Sequence, residues 1–215
     1  MKIDVNTIQK LIGTLAAKRC VFCSEMDFQI HLAWLMKEMG YELSLEYNPE
    51  CFDANASIDI MIWKPERVVV ELKYKTTHFK TEDNGHPLHL KNHSARDIGR
   101  YDFIKDISRV EHVVSSGKAD RGFAIFLTND SGYWRPGRVG TADEMFHMFD
   151  GRPMKNGTFE WGPNTGDGTK RGREKSLTLI RDYVFGWKDY AVFGEGNGLF
   201  RFLIIDVESL PSLSK

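Results

Sequence analysis

Ile58-Asp59-Ile60-Met61-Ile62, a short turn, then Val68-Val69-Val70-Glu71-Leu72-Lys73 decide the reading of this chain. Both runs are apolar enough to be buried strands, yet each carries charge. Burying an ionised carboxylate or ammonium is costly unless the group is paired or bound to a metal. Side chains two apart on a strand share a face, so Glu71 and Lys73 point the same way with Leu72 opposite. Lys64-Pro65-Glu66 reads as a turn, and a hairpin through it sets Asp59 near Glu71.

Two carboxylates held close repel, and one pKa rises unless a cation intervenes. Lys73 supplies one positive charge, and a divalent metal would supply more. Hard oxygen ligands favour Mg²⁺ or Mn²⁺, which keep several waters and take a few carboxylates plus substrate phosphate oxygens. Such a metal polarises a phosphoryl oxygen and lowers the pKa of a bound water. A neighbouring lysine can orient that water, take its proton or stabilise the developing charge. These are the parts that phosphodiester hydrolysis needs.

Working outward, Ile8, Leu11, Ile12 and Leu15 predict a helix from about Val5 to Ala17. Ser24 reads as the N-cap of a second helix, with Asp27 at the third position, running to Met39 and stopping at Gly40. Its apolar residues cover much of its circumference, which predicts a central helix. Tyr41 to Tyr47 alternates as a half-exposed strand. Ser57 to Trp63 and Arg67 to Tyr74 are the two charged strands. Thr76 to Asn92, polar and carrying His78, His86 and His89 with His93 just beyond, predicts a long loop at the site mouth. Ser94 to Ser115 predicts a third long helix, and Gly122 to Thr128 a buried strand. Thr141 to Phe149 predicts a short helix capped by Thr141. Gly166 to Lys175 predicts an exposed loop, and Tyr183 to Val192 and Leu199 to Val207 predict closing strands.

That order implies an α/β fold, a central mixed β-sheet flanked by helices. The 215 residues suit one domain, with a core at about 24–128 and a strand-rich C-terminal extension at 129–215. Hydrophobic residues at 41% and charged residues at 27% belong to an ordinary globular chain. No apolar run reaches membrane-span length and no signal-peptide pattern opens the chain, so the expectation is a cytoplasmic protein with no membrane contact. Cys20-Val-Phe-Cys23 has no second pair to complete a zinc site. The formal net charge of −1 means that any nucleic-acid surface must be local.

The segment resembles the PD-(D/E)xK nuclease superfamily, with its restriction-endonuclease-like fold. Asp59 matches the first acidic position and Glu71-Leu72-Lys73 the ExK. Glu25 looks like the acid that many members place on the preceding helix. The residue before Asp59 is Ile58 rather than proline. The resemblance implies metal-dependent cleavage of nucleic acid, with DNA as the expected partner. Asp59 and Glu71 would ligate Mg²⁺ or Mn²⁺, the Leu72 carbonyl would add an oxygen, and Lys73 would serve catalysis. Glu25 would act directly or through a metal-bound water. A homodimer fits cutting of two strands. The rival readings are a catalytically inactive nucleic-acid-binding or assembly subunit with the same fold, and a cluster of charges that only pair with one another.

Weaker candidates surround this core. On the third helix Asp102, Asp106 and Arg109 are spaced for intrahelical pairing, while Arg100 is a candidate for the substrate phosphate. Lys170, Arg171 and Arg173 form a basic run suited to phosphate-backbone contact, or a solvated loop. Tyr133 and Trp134 could stack on an unpaired base, or close a strand.

Overall fold

In the computed structural model, which describes residues 2–52, 56–83, 85–194 and 196–209, the predicted apolar spacing becomes helices α1 (Val5–Lys18) and α2 (Glu25–Glu38). Asp4 caps α1 by accepting the Thr7 N–H at 2.8 Å, and Ser24 caps α2 by accepting the Asp27 N–H at 3.1 Å. Helix α1 buries Ile8, Leu11, Ile12 and Leu15, and α2 buries Phe28, Leu32, Leu35 and Met36. The second helix is not central as its composition predicts. Only one side is covered, and Met26 and Trp34 on the other are each 67% exposed.

The chain continues through β1 (Glu42–Tyr47), β2 (Ile58–Lys64), β3 (Val68–Lys75), β4 (Phe79–Asp83), β5 (His86–Leu90), α3 (Arg96–Ser115) and β6 (Arg121–Thr128). Then come β7 (Pro153–Met154), β8 (Gly157–Phe159), α4 (Asp167–Lys170), β9 (Leu177–Leu179), β10 (Tyr183–Val184), β11 (Trp187–Val192) and β12 (Leu199–Glu208). Six strands form one mixed sheet in the order β1-β2-β3-β6-β12-β11. The β3–β6 pair is parallel and its connection carries α3; the other neighbours are antiparallel. The fold is therefore α/β, a mixed sheet flanked by helices. Strands β11 and β12 lie in the same sheet as β2 and β3, so the C-terminal segment is built into the core.

The sheet separates two apolar cores. Val68, Val70, Leu72 and Tyr74 pack with α1 and α2, while Val69, Met61, Ala124 and Phe126 pack with α3. By strand alternation Asp59, Glu71 and Lys73 belong to the α3 face. Helix α3 sits on β6 at Gly122, where an added Cβ would come within 2.3 Å of Val110 and 2.9 Å of Val69.

Several local expectations are corrected. The predicted loop over Thr76 to Asn92 contains the β4–β5 hairpin, in which Leu88 and Leu90 are buried and Phe79 packs on Phe193 and Phe200. The Asn84-Gly85 pair is the sequence signal that marks it. In β1 the alternation fails at Glu46, whose φ of 50° is left-handed, and Leu45 is exposed. Thr141 to Phe149 reduces to a 3₁₀ turn at Glu144–Phe146 without a side-chain cap. The predicted strand from Tyr183 breaks at Phe185-Gly186, and its first part pairs with β7. Among the described residues no helix is long and apolar enough to cross a membrane.

Replacing Gly122 tests the seat of α3. A Gly→Ala change in an ordinary conformation tends to stabilise, whereas overpacking costs about 1–3 kcal/mol. Gly122→Ala should lower the urea midpoint by the equivalent of at least about 1 kcal/mol. An unchanged or higher midpoint would contradict this packing.

Candidate active site

The β2–β3 ladder runs only from Ile62↔Val68 to Ile60↔Val70, whereas the β3–β6 ladder continues to Lys75↔Thr128. Beyond Val70, β3 is paired on one side only. Asp59 and Glu71 are the first residues past the last β2–β3 pair, and they face one another across the fork. The strand edge opened there needs acceptors for its N–H groups. Two carboxylates supply them: Asp59 Oδ2 accepts the Leu72 N–H at 2.6 Å, and Glu25 Oε2 accepts the Tyr74 N–H at 2.7 Å. Leu72 directs its carbonyl to the same edge as its N–H.

Glu25 is the acid of this helical turn that reaches the edge, and Asp27 is engaged elsewhere. Asp27 Oδ2 accepts the Cys23 N–H at 2.8 Å and pairs with Arg19 at 2.9 Å. Glu25 approaches from the α2 side and Lys73 lies on the α3 side; they meet at the fork, with Lys73 Nζ 3.4 Å from Glu25 Oε1.

Helix α3 supplies two residues that the sequence reading assigned to pairing within the helix. Asp106 Oδ2 lies 3.2 Å from Lys73 Nζ, and Arg109 Nε lies 2.9 Å from Glu71 Oε1. Three positions apart, they share a helix face, and that face is turned to β3. Both contacts have ion-pair distance without hydrogen-bond alignment, so these buried oxygens retain acceptor capacity. Arg109 also donates to the Ser57 carbonyl. Gln29, uncharged and buried on α2, ties the outer strands to the site. Its Nε2 donates to the Asp59 carbonyl at 2.8 Å and to Glu46 Oε1 at 2.7 Å.

The electrostatics follow from this crowding. Glu71 is 4% exposed. Burial, then the Asp106 and Asp59 carboxylates, push its pKa well above the usual range, with Arg109 opposing. Burial also raises Asp59, helped by Glu25 and opposed by the Leu72 N–H and Lys73. Asp106 is raised to about 7 by burial, against the pull of Lys73. Burial draws the Lys73 pKa down, but Asp106 and Glu25 outweigh it and hold the ammonium above the ordinary lysine range. Asp59 is among the groups that raise Glu71, and two acids that act on each other in this way call for a shared proton or a cation.

The residues fit a divalent metal on these grounds. Four carboxylates (Glu25, Asp59, Glu71, Asp106) face two cations (Lys73, Arg109), and full ionisation leaves two negative charges uncompensated. Among the described residues no three Asp, Glu, His or Cys side chains form a ready-made cage. Mg²⁺ does not need one, because it takes one or two carboxylates and fills the remainder with water and substrate oxygens. Asp59, Glu71 and the Leu72 carbonyl would be the groups to hold it.

The outlying candidates fall elsewhere. Arg100 is buried and turned away, donating to Asp143 and, at 2.7 Å, to the Gly132 carbonyl. Tyr133 and Trp134 are buried in the α3 core and offer no free face to a base. The segment Gly166 to Lys175 is not a free loop. It folds along α3, with Arg173 paired to Asp102 at 2.7 and 2.9 Å and the Tyr101 hydroxyl donating to the Lys175 carbonyl at 2.8 Å. Arg171 is exposed, and Lys170 is half-buried in a recess with Trp161. His78 is exposed, and among the described residues it belongs to no group of three His, Cys, Asp or Glu side chains.

Compared with protein-family models, with curated proteins and with solved structures, the chain matches none.

Proposed function

We propose that this chain is a metal-dependent nuclease that hydrolyses phosphodiester bonds in nucleic acid, with DNA as the expected substrate. The observation that carries the reading is the fork, which leaves the Asp59 and Glu71 carboxylates and the Leu72 backbone at one opened strand edge, with the Lys73 ammonium 3.4 Å from Glu25 and 3.2 Å from Asp106. The resemblance of Asp59 and Glu71-Leu72-Lys73 to the PD-(D/E)xK pattern supports the same reading.

Bound Mg²⁺ or Mn²⁺ would neutralise the phosphate and acidify water. Lys73 remains protonated between Asp106 and Glu25, so it donates hydrogen bonds and does not take the proton. Its part is to hold the attacking oxygen and stabilise the charge growing on the phosphate. Asp106 fixes the ammonium in place. Glu25, whose side chain is 41% exposed, is the most open carboxylate of the set and the acceptor for the water's proton.

The Arg109–Glu71 pair favours the rival, in which the charges only satisfy one another and the fold binds or assembles without turnover. A cleavage assay separates the two. Single- and double-stranded DNA and RNA are incubated with the wild type, Lys73→Ala and Asp59→Asn in Mn²⁺. Each variant should lose about 10²–10³-fold in rate. Equal cleavage by all three proteins, or none by the wild type, would sink the hydrolytic site.

The titration behaviour adds a second test. Asp59, Glu71 and Asp106 have folded-state pKa values above their unfolded ones, so the metal-free fold binds extra protons. Their protonation stabilises it most fully below the unfolded-state pKa values, and that contribution is lost as pH rises through the folded ones, which for Asp106 is at about 7. A metal must displace those protons. The rise in Tm on adding Mg²⁺ should therefore be larger at pH 8 than at pH 5.5. A pH-independent rise, or none, would rule out binding at these carboxylates.

A further inference from the structure

Beside the fork, α3 and the segment folded against it enclose a cleft of about 420 Å³. Phe52, Leu177, Lys105, Arg109, Lys175 and Glu174 are among its walls. Arg109 joins this cleft to the site. The guanidinium that lies 2.9 Å from Glu71 also lies 5.0 Å from the centre of the Phe52 ring, which stacks on His112 at 5.8 Å, so a base would share this ring with side chains of α3.

The cleft carries a net positive charge, Lys105 and Lys175 against one acid. Glu174 accepts the Gly172 N–H at 2.8 Å, which keeps its carboxylate ionised. Lys105 and Lys175 are both exposed, and neither has an ion-pair partner among the described residues. The Lys175 backbone is tethered to α3 through the Tyr101 hydroxyl, one turn of the helix from Lys105, and both lysines line the cleft. An aromatic wall with two unpaired ammonium groups suits a base and its phosphate. The volume lies toward the small end for single-ligand pockets and far below what a duplex occupies. In a duplex, moreover, base faces are stacked inward and cannot reach Phe52 unless the base is unpaired or flipped.

We infer that this cleft takes one unpaired nucleotide of a single-stranded nucleic acid, its base against Phe52 and its phosphate between Lys105 and Lys175. That the nucleotide adjoins the scissile bond rests on the hydrolytic reading; the binding does not. The substrate of the site is accordingly a single strand or an unpaired stretch of a duplex.

Binding is read by fluorescence anisotropy of a short labelled oligonucleotide, single-stranded and as the matching duplex, in EDTA so that no cleavage occurs. The single strand should bind more tightly than the duplex, by about tenfold. The Lys105→Ala/Lys175→Ala double variant should bind it about tenfold less tightly and lower the slope of log K against log salt by about 0.7, the loss of one phosphate contact. Phe52→Leu keeps an apolar wall without the aromatic face and should weaken binding by about tenfold with the salt slope unchanged. Unchanged Tm for the double variant shows that the fold is intact. Wild-type binding by the double variant, or a duplex bound as tightly as the single strand, overturns the inference. Cleavage in Mn²⁺, measured in parallel, keeps the two readings apart. Loss of binding in the variants of a protein that never cleaves leaves the cleft and removes the hydrolysis. Cleavage by the wild type with fully active, fully binding variants does the reverse.

Discussion

The parting of β2 from β3 after Ile60↔Val70 is the constraint on which the site depends. A continuous ladder would satisfy the edge of β3 with backbone groups and leave no N–H there for a carboxylate. The fork instead leaves the Leu72 and Tyr74 N–H groups to two carboxylates, Asp59 at 2.6 Å and Glu25 at 2.7 Å. A hydrogen bond to a charged group contributes about 1.5–3 kcal/mol, roughly twice a neutral one. The carboxylates that would do the chemistry thus also hold the opened edge. Gln29 braces the other prong by bonding the Asp59 carbonyl and the Glu46 carboxylate.

The surroundings are arranged around excess negative charge. Glu71 is buried with Asp59 and Asp106 near it, and Arg109 and Lys73 only partly offset them. Burying acids this way costs stability at neutral pH, and the cost is lowered by protons or by a cation. The same field keeps Lys73 charged. A lysine in that state is suited to stabilising negative charge on a phosphate and unsuited to taking a proton, which narrows the roles open to it.

Much of this was legible in the residues. Asp59, Glu71 and Lys73 stand out because charge inside apolar strands has few structural uses, and the sheet with its flanking helices follows from hydrophobic spacing. Glu25 was separable from Asp27 only through the capping geometry, which consumes Asp27. Asp106 and Arg109 were hidden because α3 carries charge along its whole polar side. Their spacing fits an intrahelical pair as well as it fits contact with β3. The choice of Arg100 on that helix failed for the same reason, since six residues from Asp106 is about a third of a turn away and leads toward Asp143. Gln29 carried no charge to draw attention. The β4–β5 ribbon was masked by its histidines and Pro87, although only one of its faces needs to be apolar.

A crystal structure of the chain with Mn²⁺, read by anomalous scattering, would show whether a divalent ion enters the fork. The expected result is a peak bounded by the Asp59 and Glu71 carboxylates and the Leu72 carbonyl, with Lys73 still held by Asp106. A structure with no peak there, and with Arg109 still closed on Glu71, would contradict it.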